Sequence, residues 1–502
     1  MEKQPVTRKE LSVKELSAQD ISARESSDRE LSDRKRRILN QAASHSDSYP
    51  EAISNLKPAI PEPTFFPNWP REQPREQPKE QPREQSIDWP GEWPESRDQS
   101  AEPAIASIAQ PSSPFERRSW QRWAIARTLR ADLSTLRYIF SLFLATRAVL
   151  VLIGLVSYAA VPKGYGKQVA WSSWPLLDMW GVWDSLWYMD IAQNGYSLVT
   201  KLADYPDQTN FPFFPLYPLL MRFISVFTSG DPFLAGLVIS NGCLLIACYI
   251  LYKLAELEWG SAIALRSVKY LFLFPVSFIL SGVFTESLYL CISLLCFYLA
   301  KKRRWWLAGL CGGLLSATRT LGVLIAIPLL LEYARSINFK PANIKRNSLF
   351  IGLVPLGLLA FSLYNFQATG DFLFFKTNQA AWDREILNPL VSFWQAASQG
   401  ISEPSFKKLL ECAFFVGAFG LMSAFYKKIG LSYWLFGMYS IWIPLSAGVA
   451  SMPRFTLSIF PLFVALAALS QRKHWNLWLT VVLGGLQGAL MVLWCTGHGL
   501  VI

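Results

Sequence analysis

The sequence predicts an all-α polytopic integral membrane protein with a disordered N-terminal tail, and three observations carry that expectation. The 502-residue chain divides sharply near residue 137. Residues 1–136 are rich in Glu, Arg, Lys, Ser, Gln and Pro, whereas from Tyr138 to Ile502 apolar runs follow one another with short charged interruptions. A helix needs about 20 apolar residues to span a bilayer, fewer where neighbours shield it, and these runs approach that length. Basic clusters flank the runs at ERRSWQRWAIARTLR (116–130), KKRR (301–304), KPANIKR (340–346), KK (427–428) and QRKH (471–474). The net charge of +11 is therefore read as juxtamembrane rather than as a nucleic-acid surface.

The tail contains KELS and RELS near-repeats and PREQPREQPKEQPREQ from Pro70 to Gln85. Such a sequence buries too little apolar surface to offset its ordering entropy. Its proline spacing favours extended segments, although Lys9 to Arg37 has helix-forming composition. Met1 to Leu39 has no apolar stretch of the kind a secretory signal needs, so the tail is expected to stay in the cytoplasm. The domains expected are thus 1–136, a cytoplasmic low-complexity tail, and 137–502, the membrane part. The seven Cys lie in apolar stretches without zinc-type spacing and the three His are far apart, so packing roles are expected for the Cys.

Letting the basic clusters choose the cytoplasmic side gives eleven crossings, roughly 138–160, 232–254, 263–280, 286–300, 305–317, 321–333, 348–367, 406–425, 430–448, 457–470 and 476–496. The segment FPFFPLYPLLMRFISVFTSG is expected to dip into the outer leaflet without crossing. In this topology WDSLWYMD (183–190), SGVFTES (281–287), TRT (318–320), GDFLFFKTNQAAWDRE (370–385) and SMPRFT (451–456) all fall at the outer face. Charges at membrane depth are costly unless paired, hydrated or facing a cavity. The islands supply carboxylates at Asp184, Asp190, Glu286, Asp371 and Asp383 and guanidiniums at Arg319 and Arg454. Carboxylates act as bases or hold cations, and arginine's planar fork grips phosphate.

The run W-D-S-x-W-Y-x-x-I-A-x-x-G-Y from Trp183, FFPLYPLL (213–220), FPVSFILSGVFTESLYL (274–290), TRTLGVL (318–324) and SMPRFTLSIFPLF (451–463) together resemble the PIG-V-like mannosyltransferase family. The resemblance spans residues 183–463 and leaves out the tail. It implies the GT-C glycosyltransferase fold, a polyprenyl- or dolichyl-phosphate sugar as donor, usually mannose, and a catalytic Asp in the first outer loop. By motif that residue is Asp184. Asp190 inherits little, because the second acidic position of that loop varies in this fold class, and residues 369–405 match only through their GDF start. The implied membrane is the plasma membrane in a bacterium or the endoplasmic reticulum in a eukaryote.

The chemistry fits the residues independently. Transfer of a hexose from a lipid phosphate to an acceptor hydroxyl displaces a good leaving group, so one carboxylate base suffices and a single displacement inverts the anomeric carbon. Arginine compensates the charge growing on the departing phosphate. On the residues alone, each candidate keeps a structural alternative. Asp184 is either the base or a helix cap. Trp183, Trp187, Tyr188 and Tyr196 are sugar-stacking rings or interfacial belt aromatics. Glu286 is a site group or a cap, and Asp190 a secondary contact. Arg319 and Arg454 grip phosphate or snorkel to headgroups, with Lys376 and Arg384 weaker phosphate candidates. Clustered carboxylates would suit Mg²⁺ or Mn²⁺, though no spacing demands a metal. The competing functions are a transporter or flippase for lipid-linked sugars, against which no internal repeat appears, and a glycan ligase or polymerase. The acceptor, a glycolipid, glycan or protein, is left open.

Overall fold

The computed structural model describes residues 114–198, 208–382 and 387–499, all within the compact unit Asp88–Ile502. Residues 1–113, the greater part of the expected tail, lie outside the described residues, as do Asp383 and Arg384. Among the described residues the structure is all-helical, with no strands. Counting only α-helices longer than one turn, α1 is Pro114–Ala160, α2 Ser185–Asn194, α3 Leu216–Ser225, α4 Pro232–Trp259, α5 Ser261–Leu273, α6 Glu286–Lys301, α7 Trp305–Ser316 and α8 Ala326–Ser336. They continue as α9 Leu356–Thr369, α10 Pro389–Ser402, α11 Phe406–Ala424, α12 Leu431–Leu445, α13 Met452–Leu457, α14 Phe460–Leu469 and α15 Lys473–Cys495.

Every apolar run expected to cross carries a helix, but their lengths differ. Among the described residues, four segments are long and apolar enough to cross a membrane: Asp132–Ala160, Pro232–Trp259, Arg346–Thr369 and Lys473–Cys495. At 1.5 Å per residue α14 is only about 15 Å long, shorter than a hydrocarbon core. The helical structure of α1 begins at Pro114 rather than near 137. The loop 369–405 contains α10 and two shorter turns.

Local chemistry sets the helix boundaries. Asp231 caps α4 by accepting from Phe233 N (2.8 Å) and Leu234 N (3.3 Å), Pro232 occupies the first turn, and Gly260 at φ 86° ends it. Asn388 and Pro389 do the same at the start of α10. The core is a parallel pair, α4 and α6, with α5 antiparallel beside them and α14 packed on α5. Gly309 lets α7 lie against the backbone of the next layer, since a Cβ there would sit 1.9 Å from the Phe350 carbonyl oxygen.

Between α5 and α6 the chain abandons the α-helix. Residues 274–285 form a 3₁₀ turn at Ser277–Ser281 flanked by irregular backbone, and every one of them is buried. Irregular backbone at membrane depth survives only where protein groups satisfy it. Here Gln487 Nε2 donates to Phe272 O (2.8 Å), Phe274 O (3.2 Å) and Ser277 Oγ (2.5 Å). Arg147 Nη2 donates to Ser277 O (3.0 Å) and its Nε to Ser281 Oγ (2.8 Å). Ser185 Oγ reaches Val283 O at 3.1 Å, and Val283 N reaches Trp180 O at 3.2 Å. Trp494 fills the space beneath, against Trp180, Phe278 and Phe284.

At the opposite end of α4 and α6, Lys301 bridges Glu258 and Glu332, both at 2.9 Å, and Arg335 meets Glu332 at 3.0 Å. Lys301, the first residue of KKRR, is thus tied to acids on neighbouring helix ends, roughly 24 Å along the 16-residue α6 from Glu286. Gln487→Leu is expected to leave Phe274 O without its donor, weaken the hold on Ser277 Oγ and Phe272 O, and lower stability by about 1–3 kcal/mol, whereas exposed Val482→Leu on the same helix should be neutral. Thermal unfolding in detergent checks this pair; equal melting temperatures would remove Gln487 from its role.

Candidate active site

Four charged side chains from four remote segments meet at one end of the core helices. Arg454 Nη1 donates to Asp184 Oδ2 at 2.6 Å and Arg454 Nε to Glu286 Oε1 at 2.6 Å. Arg319 Nη2 reaches the same Glu286 oxygen at 2.5 Å, and its Nε donates to Thr285 Oγ1 at 3.0 Å. The order is Asp184, Arg454, Glu286, Arg319, alternating in sign and neutral in sum. Each guanidinium also lies near a ring, Arg454 over Phe284 at 4.9 Å and Arg319 over Tyr289 at 5.8 Å.

Exposure divides this chain of charges into ends and middle. The Glu286 side chain is 0% exposed and that of Arg454 8%, whereas Asp184 keeps 20% and Arg319 16%. Burying two ions is costly, and their mutual pairing offsets it only because each middle group has two partners. Burial works against charge on Arg454, but Asp184 and Glu286 outweigh it and hold the guanidinium above its ordinary range. The second Glu286 oxygen is buried with no hydrogen-bond partner among the described residues.

Local folding delivers each group. Glu286 opens α6 directly behind the buried break. Arg319 sits in extended backbone between α7 and a 3₁₀ turn at Thr320–Ile325. Arg454 lies on α13, entered through Ser451 at φ 64°. Asp184 occupies the N-cap position of α2, yet its side chain makes no capping hydrogen bond, because Arg454 holds it. Trp183, just before it, has a left-handed φ of 51°. For a bulky residue that conformation is uncommon, and the Trp183 N–H is held by Gly166 O at 2.9 Å.

The remaining candidates are distributed differently. Asp190 turns away from the charge chain and accepts from Asn194 Nδ2 (2.9 Å) and Asn210 Nδ2 (2.7 Å), fastening the end of α2 to the following loop. Trp187 and Tyr188 are 3% and 4% exposed. Trp187 stacks on Phe213 at 5.6 Å, and Tyr188 meets Phe213 and Tyr217 edge-on, each at 5.3 Å. Burial pushes the Tyr188 phenol up to about 12, with Asp184 adding to the shift. These two rings pack behind the site. Tyr196 donates to Phe213 O at 2.6 Å. Asp371 accepts locally from Leu373 N and Thr377 Oγ1, both at 2.8 Å, and Lys376 is exposed.

One buried pair escaped the sequence reading. Lys167 Nζ meets Asp178 Oδ1 at 2.9 Å and also donates to Asp178 O and Gly181 O. Asp178 further accepts from Trp171 N (2.6 Å) and Tyr158 Oη (3.0 Å). Burial draws the Lys167 ammonium below the ordinary lysine range, an effect that Asp178 partly offsets. The available signal was a single acid, Asp178 inside WPLLDMW, in an aromatic stretch whose lysines are Lys163 and Lys167.

Asp184 and Glu286 are both engaged by arginines, and among the described residues no group of three or more His, Cys, Asp or Glu gathers.

Fold and site together define a multi-pass, all-helical membrane protein with a mixed-charge centre at one end of its helices. Among known proteins, it is similar to GPI mannosyltransferase 2 from two strains of Cryptococcus neoformans var. neoformans serotype D, each 29% identical over 152 residues. The match covers 30% of this chain and 35% of each relative, so the chain spans about a third of the curated relatives it matches. That likeness agrees with the resemblance carried by the five motifs. No protein-family model matches. Among solved structures, the Archaeoglobus fulgidus oligosaccharyltransferase aligns with 70% of this chain and 53% of its own at 12% identity, with a TM-score of 0.31.

Glu286→Ala is expected to strand two largely buried guanidiniums and cost about 3–5 kcal/mol, against about 1 kcal/mol for Asp190→Ala, which removes hydrogen bonds at a partly open site. Unfolding of both variants in one detergent ranks them. An equal loss would contradict the central position of Glu286.

Proposed function

We propose that the chain is a membrane glycosyltransferase that moves a hexose, mannose by its resemblance, from a polyprenyl- or dolichyl-phosphate donor to an acceptor hydroxyl. The observation that carries this reading is the four-membered charge chain with buried middle and accessible ends. One accessible end is a carboxylate and the other a guanidinium, the pair that a displacement from a lipid phosphate requires.

In the reaction, the acceptor oxygen attacks the anomeric carbon while Asp184 removes its proton. The bond from that carbon to the phosphate oxygen breaks, its electron pair leaves with the lipid phosphate, and the configuration inverts. Arg319, at the other end, compensates the charge that grows on the departing phosphate. Glu286 and Arg454, whose side chains are 0% and 8% exposed, are assigned as positioning groups rather than direct substrate contacts. Arg454 orients the Asp184 carboxylate through their 2.6 Å contact, and Glu286 sets the separation of the two guanidiniums. Trp187 and Tyr188 support the wall rather than stack on the sugar. No step is routed through a metal.

The same proposal includes the GT-C type of fold, about eleven crossings, a cytoplasmic N-terminus and an extracytoplasmic site. It is supported by the separation of the mixed-charge centre from the Lys301 cluster along α6 and by the likeness to the fungal mannosyltransferases. The acceptor is any hydroxyl-bearing glycolipid, glycan or protein.

Protein in detergent is expected to release labelled mannose from polyprenyl-phosphate mannose to an acceptor or to water. Asp184→Asn should insert and unfold like the parent while losing at least about a hundredfold in rate. An Asn variant of full activity removes Asp184 as base. A parent that shows no release in detergent, where transport has no meaning, but moves the lipid-linked sugar across vesicles would be a flippase.

A further inference from the structure

Three lysines that fold back onto the protein meet acids there. Lys301 has Glu258 and Glu332, Lys167 has Asp178, and Lys253 holds Asp132 at 2.5 Å. Lys269 on α5 breaks the pattern. It is half-buried, and its Nζ donates to Asn476 Oδ1 (3.0 Å) and Thr480 Oγ1 (2.7 Å), both neutral and both on α15. An ammonium has three donors, so these two acceptors fix its place but leave its charge uncompensated. Arg266, three residues earlier and also half-buried, lies beside it on the helix surface. Among the described residues neither cation has a carboxylate partner, and α5 and α15 contain no Asp or Glu. Two like charges this close repel, and an unpaired charge at membrane depth is costly.

The surrounding helices leave this pair accessible to lipid. On one side, Tyr138 Oη of α1 donates to Leu265 O at 3.2 Å and Phe143 meets Phe272 edge-on at 6.2 Å. On the other, Tyr270 Oη donates to Asn476 Oδ1 of α15 at 2.8 Å. Between these contacts α5 presents exposed Ala262 and Leu265 beside Arg266 and Lys269. α1 and α15 approach each other further along, where a Cβ on Gly488 would lie 3.2 Å from Ile153 Cδ1. The three helices thus form a groove with α5 as its floor.

Depth and flanks suit a phospholipid. Lys269 stands about 12 Å along α5 and Thr480 about 10 Å along α15 from the starts of those helices, and α15 starts in the basic stretch QRKH. A lysine stem bridges such a depth toward the headgroup level. Phe140 and Leu144 on α1 and Leu477 and Val481 on α15 are exposed, which supplies the apolar surface that acyl chains cover. A soluble phosphate ion would use the cations and leave that surface unused.

We infer that this groove binds an anionic phospholipid, with its phosphodiester between Lys269 and Arg266 and its acyl chains along α1 and α15. Asn476 and Thr480 hold the ammonium in place beforehand, which lowers the ordering cost of binding. The inference stands apart from the glycosyltransferase reading, because binding is measured without turnover.

The test uses the full chain in detergent, titrated with dioleoylphosphatidylglycerol or dioleoylphosphatidylcholine, with bound lipid counted by native mass spectrometry. The parent is expected to hold the anionic lipid about tenfold more tightly than the zwitterionic one. Lys269→Gln and Arg266→Gln should each remove most of that preference, Lys269→Arg should keep it, and Lys302→Gln, at an exposed position of the KKRR cluster, should leave it unchanged. Arg266 has no hydrogen-bond or ion-pair partner among the described residues, so its variant keeps the test decisive if Lys269→Gln fails to fold. Equal affinity of the parent for the two lipids overturns the site, as does a preference that survives Arg266→Gln. A loss in Lys302→Gln as large as in the groove variants also overturns it, since a general basic field would then suffice. Displacement of the anionic lipid by millimolar inorganic phosphate would make the groove a site for free phosphate and overturn its assignment to lipid.

Discussion

The structure depends on satisfying an open backbone in a place where water cannot do so. Residues 274–285 are fully buried and largely non-helical, so their carbonyls must find donors from the protein. Arg147 on α1, Ser185 on α2 and Gln487 on α15 supply them. Three helices far apart in sequence are thereby fastened around one point. The break also terminates α5 early enough for Glu286 to begin α6 where it meets both arginines.

From that point the charge chain follows. Had α5 and α6 met in a tight polar turn at the surface, Glu286 would be solvated and its attraction for Arg319 and Arg454 weakened by water. Inside, it is an anion that requires two cations, and they in turn require Thr285 and Asp184 as further acceptors. The outcome is a neutral row whose buried centre holds two accessible ends at a fixed separation. Preorganised charge of this kind is what a reaction that displaces phosphate needs, since no reorganisation remains to be done as charge moves. The loop that carries Asp184 is stiffened by a second buried pair, Lys167 and Asp178, and by the forced contact of Trp183 with Gly166. Rigidity on both sides of Asp184 fixes the position of the carboxylate.

Much of this was legible in the sequence. Apolar runs marked where the helices fall, because hydrophobic length is a local property that needs no partner. The order of basic and acidic islands placed Asp184, Glu286, Arg319 and Arg454 at one face before any contact was known. What the residues could not reveal was their connection. Arg454 lies 270 positions from Asp184 and 168 from Glu286, and no spacing rule reaches across such distances. For the same reason the division of labour between Arg319 and Arg454 was not readable, and Lys167, Asp178, Arg147 and Gln487 went unremarked in loop and span. Trp187 and Tyr188, chosen for their motif, share a helix with Asp184 but turn their rings toward Phe213.

By itself, then, the sequence determined the helical architecture, the apolar segments and the chemical inventory of the outer islands, since each depends on composition and short-range pattern. Only the tertiary structure decided which members of that inventory touch, which are buried in the middle and which are left open at the ends. Burial and pairing of charges are set by the helices that pack around them, and those helices come from every part of the chain.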